Sequence, residues 1–189
     1  MYVMLIPATD AVRITTQNFP DAAFRRALCE VLGKNAGDFV TSREVYAFTM
    51  LDVTGKGIRS LKGIEFFPSL AELFCGENEI QELDLRNNPA LQVVSCENNH
   101  MTCLRLAEHA DLQTLVCREN LLEELDVSSC SELLELLCDG NLLTELDLTE
   151  NPQLVQLWCG HNGLQELNLE ANLRIEDLQT EALDERCIL

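Results

Sequence analysis

Residues 70–90 read LAELFCGENEIQELDLRNNPA, and residues 91–111 read LQVVSCENNHMTCLRLAEHAD. Set one under the other, the two segments keep the same spacing of Leu, Cys and Asn, and the spacing continues down the chain. Cys75, Cys96, Cys117, Cys138 and Cys159 lie 21 residues apart. Two residues before each stands Leu73, Val94, Leu115, Leu136 or Leu157, and five before stands Leu70, Leu91, Leu112, Leu133 or Leu154. Three after each stands Asn78, Asn99, Asn120, Asn141 or Asn162. Apolar residues follow at five, eight and ten. The unit L-x-x-L-x-C-x-x-N-x-L-x-x-L-x-L-x-x-x-x-x therefore occurs five times across residues 70–174, and a fixed period of this length marks a stacked repeat architecture.

The physics of such a pattern is one-dimensional. A single 21-residue coil cannot bury its apolar edge alone, whereas stacked coils can. The alternation Leu-x-Cys predicts a short strand with both named side chains inward. Stacking then pairs these strands into a parallel sheet at about 4.8 Å spacing. Each inward Leu contributes roughly 1.5–3 kcal/mol by burial. The Asn turns the chain, and its amide is expected to satisfy buried backbone groups in its own coil and the next. The cysteines read as compact core residues. In register, their Cβ atoms point the same way about one strand spacing apart, farther than the ~3.8 Å mean of a disulfide. Free, buried thiols follow. Zinc is disfavoured, because there is no C-x-x-C pair and a linear stack cannot surround a tetrahedral ion.

The ends depart from the pattern. Leu51, Val53, Ile58, Leu61, Ile64 and Phe67 form an earlier, atypical coil of 22 residues, with Val53 in the Cys place and Lys56 in the Asn place. Ile175 and Leu178 begin another coil, Thr180 takes the Cys place, and residues 175–189 read as a short C-terminal cap. The repeats thus occupy 49–174, a helical N-terminal cap 18–48, and residues 1–17 have no assigned role. Within the cap, Asn18-Phe19-Pro20-Asp21 predicts a helix start with Pro in the first turn. Phe24, Leu28, Val31 and Leu32 supply its apolar face, and Gly33 ends it. Thr41 and Glu44 form a capping box, with Val40 and Val45 as hydrophobic staple, for a second short helix to about Phe48. Two helices here cover the first exposed edge of the stack. A calcium loop ending at Glu44 would put Gly33, Asn35 and Gly37 at its first ligand positions and Asp38 where Gly is required, so calcium is disfavoured.

The chain has 189 residues and a formal net charge of -19, from 13 basic and 32 acidic residues. Duplex nucleic acid and anionic membrane surfaces are poor partners for such a balance. The charge either keeps a monomeric solenoid soluble or steers a basic ligand. No apolar run is long enough to span a bilayer. The stretch Tyr2 to Ile6 is either the tail of a trimmed export signal or a first strand on the cap. His100, His109 and His161 are scattered, and no nucleophile elbow, phosphate loop or zinc-protease motif occurs. Cys103 and Cys130 fall outside the ladder and are expected to be exposed, candidate reactive thiols without a matching His. The reading is therefore of a non-enzyme with no cofactor.

Residues 70–174 resemble bacterial leucine-rich repeats of the internalin type, especially the internalin J subgroup with its 21-residue coil and cysteine ladder. Asn18-Phe19-Pro20-Asp21, Phe24-Arg25, Leu51-Asp52-Val53 and Leu61-Lys62-Gly63-Ile64 resemble the cap and first coil of repeat proteins from gut bacteria. The resemblance implies a leucine-rich-repeat right-handed solenoid with a short parallel β-sheet on its concave face, a mostly irregular convex side and a small α-helical N-terminal cap. It also implies an extracellular or cell-surface bacterial protein that binds a protein or peptide partner. A cytoplasmic scaffold is the alternative, since burial protects ladder thiols in either compartment.

With the inward set committed to the core, binding falls to the outward strand residues. The row before each Cys, Phe74, Ser95, Val116, Leu137 and Trp158, makes a largely apolar stripe. Glu72, Glu135 and Gln156 border it on one side, and Glu97, Arg118 and Asp139 on the other. An apolar stripe with a polar rim has the composition of an interaction site, and Trp158 is the single Trp of the chain. Two other readings stay open: cross-strand packing that only stabilises the sheet, or cover by a terminal segment.

Overall fold

The computed structural model describes residues 11–106 and 109–181; Tyr2 to Ile6 and Cys187 lie outside them. From Met50 onward the chain winds as a solenoid. Strands β3 (Met50–Asp52), β4 (Glu72–Phe74), β6 (Val93–Ser95), β8 (Thr114–Val116), β9 (Glu135–Leu137), β10 (Gln156–Trp158) and β11 (Asp177–Gln179) stack in chain order as one parallel sheet. Their register never slips: Leu73 faces Val94, Val94 faces Leu115, Leu115 faces Leu136 and Leu136 faces Leu157. A slip of one residue would turn every Leu outward, so burial fixes the alignment. The opposite side is mostly irregular, with one 3-10 turn at Ile64–Phe66 and a two-stranded pair of β5 (Glu82–Asp84) and β7 (Cys103–Arg105).

The inward columns are closed. Leu73, Val94, Leu115, Leu136 and Leu157 are fully buried, and the five ladder cysteines are free and buried. Burial pushes the thiols of Cys117 and Cys159 up to about 12, and those of Cys75, Cys96 and Cys138 also rise. Val53 continues the column into the first coil, whose six apolar positions are all buried. At the other end β11 adds one more rung, but Leu178 is 38% exposed because no described rung covers it.

The Asn column works in the opposite direction from the expected one. Asn99 donates to the carbonyls of Cys96 and Glu97 in its own coil and of Cys75 in the preceding coil, and its Oδ1 accepts the N–H of Ile80, also in the preceding coil. Asn120, Asn141 and Asn162 repeat this backward reach. The reason lies in the sheet. Each Cys N–H already points to the next coil, as in Cys75 N–H to Ser95 O at 2.8 Å. The Cys carbonyl is left for the Asn that follows it. Lys56 stands in the Asn place of the first coil because no coil lies behind it to be tied.

The cap holds α1 (Ala22–Leu32) and α2 (Ser42–Ala47), with Gly33 ending α1 in the left-handed conformation and the Thr41–Glu44 capping box opening α2. Lys34 and Thr41 hold the Glu44 carboxyl down to about 2. Pro20 lies one residue ahead of the N-cap rather than in the first turn, because Asp21 is the N-cap and accepts from Phe24 N–H. The other Asp21 oxygen accepts from Arg59 N–H, joining the cap to the first coil. Val31, expected inward, is 48% exposed: the buried stripe follows Phe24, Ala27 and Leu28. An antiparallel pair of β1 (Val12–Arg13) and β2 (Phe39–Val40), not anticipated, completes the cap and buries Val12. Phe19 packs edge-on against Phe24 and Phe66, and Phe48 lies tilted against Phe67. A methyl group at Gly63 would overlap the Phe19 ring, and that residue has φ of 110°, so Gly is required there.

Candidate functional site on the outward face of the sheet

Because side chains alternate across a strand, every rung of the parallel sheet presents two residues away from the core. Phe74, Val116, Leu137 and Trp158 are all half-buried. Val116, Leu137 and Trp158 occupy facing positions on adjacent strands and form one continuous strip. Ser95 separates Phe74 from it. In the flanking row Glu72 and Glu135 are exposed, while Val93, Thr114 and Gln156 are half-buried. In the row after the cysteines Glu97, Arg118 and Asp139 are half-buried, between Gly76 and Gly160. The Glu97 carboxylate leans over Gly76 and accepts the Ser95 hydroxyl at 2.5 Å.

One residue of this face escaped sequence reasoning. Asp177, on β11, accepts the Trp158 indole N–H at 3.0 Å and the Gln156 amide at 2.7 Å through the same oxygen. The indole ring is thereby fixed in orientation, with its polar edge occupied. The signal was present, since Asp177 follows Gln156 by one 21-residue period, but it lay in the stretch read as a terminal cap.

Electrostatics on the face are uneven. Burial raises the Asp139 carboxyl above the usual range, with Glu119 adding to the rise and Arg118 and His161 opposing it. Asp139 Oδ1 and Arg118 Nε are buried atoms without a hydrogen-bond partner among the described residues. The arrangement offers an apolar strip, an oriented indole and a rim of mostly negative charge, which suits non-covalent recognition.

The candidate thiols and histidines lie elsewhere. Cys130 is not exposed, contrary to expectation; it is fully buried and its thiol is raised by desolvation. The reason is a second 21-residue column, Asn88, His109, Cys130, Asn151 and Asn172, that runs inside the convex wall, every member buried. Asn88, Asn151 and Asn172 each donate twice to carbonyls of the preceding coil, and His109 Nε2 donates once, to Leu85 O at 3.1 Å. Cys103 is half-buried on β7, and His100 and His161 are exposed. None of the three main depressions among the described residues is lined by a histidine. No helix among the described residues is long and apolar enough to cross a membrane.

Known structures resemble this one. The functional domain of internalin J from Listeria monocytogenes, which includes a cysteine ladder, superposes with a TM-score of 0.72 and 28% identity, over 95% of this chain and 44% of that one. A leucine-rich-repeat protein of Leptospira interrogans matches with a TM-score of 0.65 and 20% identity, over 77% of this chain and 39% of that one, a likeness of fold alone. The chain thus spans less than half the length of either. No protein family profile and no curated protein matches the sequence.

Proposed function

We propose that this chain, an internalin-like leucine-rich-repeat protein, seats a protein or peptide partner on the concave, outward face of its parallel sheet. The observation that carries the reading is the half-open strip Val116–Leu137–Trp158. These side chains keep apolar surface in water while every position beside them on the inner face is closed. Association would remove that surface from water at roughly 25 cal/mol per Å², and a Trp held by Asp177 loses little rotamer freedom when it docks. Phe74 extends the strip beyond Ser95. Glu72, Glu97, Glu135, Asp139, Arg118 and Gln156 form the rim that sets orientation.

The same reading makes the protein an exported or cell-surface bacterial recognition module that works without an enzymatic step. An affinity capture from the native source, run with wild type and with Trp158→Ala, tests the face. A central Trp is worth about 2 kcal/mol or more at an interface, so the variant retains only a few per cent of the captured partner while the solenoid stays folded. Equal capture by both proteins overturns the proposal. Fractionation of the native cells with an antibody to the chain tests the location: signal confined to the cytosol overturns the exported role.

A further inference from the structure

Charge is distributed along this molecule far from evenly. Of the 13 basic residues, 8 precede residue 63, whereas 26 of the 32 acidic residues follow it. The cap end is close to neutral and the solenoid carries nearly all the negative charge. On the outward rows of the sheet the acids are Asp52, Glu72, Glu97, Glu135, Asp139, Asp177 and Glu181; Arg118 is the one Lys or Arg in those rows, and His161 lies near Asp139. Among the described residues the ion pairs are Lys34–Glu44, Lys56–Glu30, Arg59–Glu79, Arg86–Asp84 and Arg105–Glu82. All belong to the cap and the early edge of the coils, so none neutralises an acid of the sheet face.

Resting on the concave-face reading, we propose that the occupant is a cationic amphipathic segment of another protein. It sets apolar side chains on Val116, Leu137 and Trp158, and Lys or Arg side chains against Glu135 and Asp139 on either side of Leu137. Two features of the face argue for this occupant rather than a neutral one. The strip is narrow, a single row, and both neighbouring rows carry carboxylates in the same coil, Glu135 on β9 and Asp139 two residues beyond its end. A segment alternating apolar and basic side chains matches that cross-section. Asp139, moreover, has one buried oxygen with no partner, and desolvation has already raised its carboxyl. An ammonium or guanidinium group seated beside the half-buried Asp139 carboxylate offsets that desolvation and favours the charged form. An acidic segment meets like charge on both sides of the strip, and like-charge juxtaposition is among the strongest means of rejecting wrong partners.

The chain carries its own reporter, since Trp158 is its only Trp and stands in the strip. Three synthetic peptides of equal length are titrated while its emission is followed: alternating Leu/Lys, Ser/Lys and Leu/Glu. The Leu/Lys peptide is expected to bind with a blue shift, Ser/Lys about tenfold more weakly, and Leu/Glu not at all. Non-specific attraction to a chain of this charge is separated by two variants. Glu135→Gln with Asp139→Asn weakens Leu/Lys binding about tenfold at low salt, while Glu124→Gln with Glu145→Gln, on the far edge of the coils, changes it less than about twofold. Equal binding of Leu/Glu, absence of Leu/Lys binding, or equal weakening by the two pairs overturns the cationic occupant. The underlying reading is tested apart, with Leu137→Asp. If that variant abolishes binding of whichever peptide binds, the face stands even where its charge preference fails. If it leaves Leu/Lys binding intact, the face itself is wrong.

Discussion

Replacing His109 by Asn restores the residue found at the same place in three other coils, and the outcome can be worked from the structure. Asn151 donates to the carbonyls 24 and 21 residues back, Val127 O at 2.9 Å and Cys130 O at 2.8 Å; Asn172 does the same with Leu148 and Asn151. The matching acceptors for residue 109 are Leu85 O and Asn88 O, of which His109 uses only the first. His109→Asn therefore gains one buried hydrogen bond, about 0.5–1.5 kcal/mol, and gives up part of the ring's packing, under about 1 kcal/mol. Near pH 7.5 the balance lies between about -0.5 and +1.5 kcal/mol, centred in favour of Asn, and each kcal/mol moves Tm by about 2–4 °C for a chain of this size. Acid conditions separate the two proteins further. Burial lowers the His109 pKa below its ordinary 6.5, so in acid the unfolded chain takes up a proton that the folded chain refuses. That contribution is lost as pH falls from about 6.5 towards the folded value. The variant carries no such penalty. Urea unfolding at pH 7.5 and pH 5 measures both effects, and the stability difference in favour of Asn should be larger at pH 5. A variant less stable than wild type at both pH values, with a difference independent of pH, would refute the reasoning.

Three further outcomes are expected. Asn120→Ala strips the partner from Met101 N–H and from three carbonyls; it should cost about 2–4 kcal/mol in urea unfolding, and a loss below about 1 kcal/mol would count against a structural role for the Asn column. Glu77 holds φ of 55° at the place where Gly55 and Gly140 adopt 65° and 66°, so Glu77→Gly should raise stability by up to about 1 kcal/mol as strain relief outweighs the added freedom of the unfolded chain; a lower melting temperature would contradict it. Among the described residues, labelling native protein with a thiol reagent near pH 8 should modify Cys29 and Cys103 at most, since the ladder cysteines and Cys130 are buried and their thiols raised; rapid native labelling of Cys117 or Cys130 would exclude the packing described.

The sheet and its inner columns could be read from the chain because both depend on local rules. A 21-residue period sets which residues stack, and strand alternation sets which of them face inward, so Leu73, Cys75 and their successors were assignable without coordinates. The same alternation pointed to the outward rows that hold Trp158 and Leu137. The second column was equally periodic, yet its mixture of Asn, His and Cys hid it: identity varies down the column while burial does not, so by residue type Cys130 stands alone.

Other features were settled only where segments distant in sequence meet. An Asn amide has donors and an acceptor but no built-in preference for one neighbour, and the sheet's own hydrogen bonds decided that it ties the preceding coil. Val31 faces solvent because the helix presses Phe24, Ala27 and Leu28 against the first coil. Asp177 holds Trp158 because β11 continues the stack beyond the clear repeats. In each case the sequence determined the shape and polarity of the side chain, and tertiary packing chose the partner, since burial and hydrogen bonding are properties of a pair of surfaces rather than of either one.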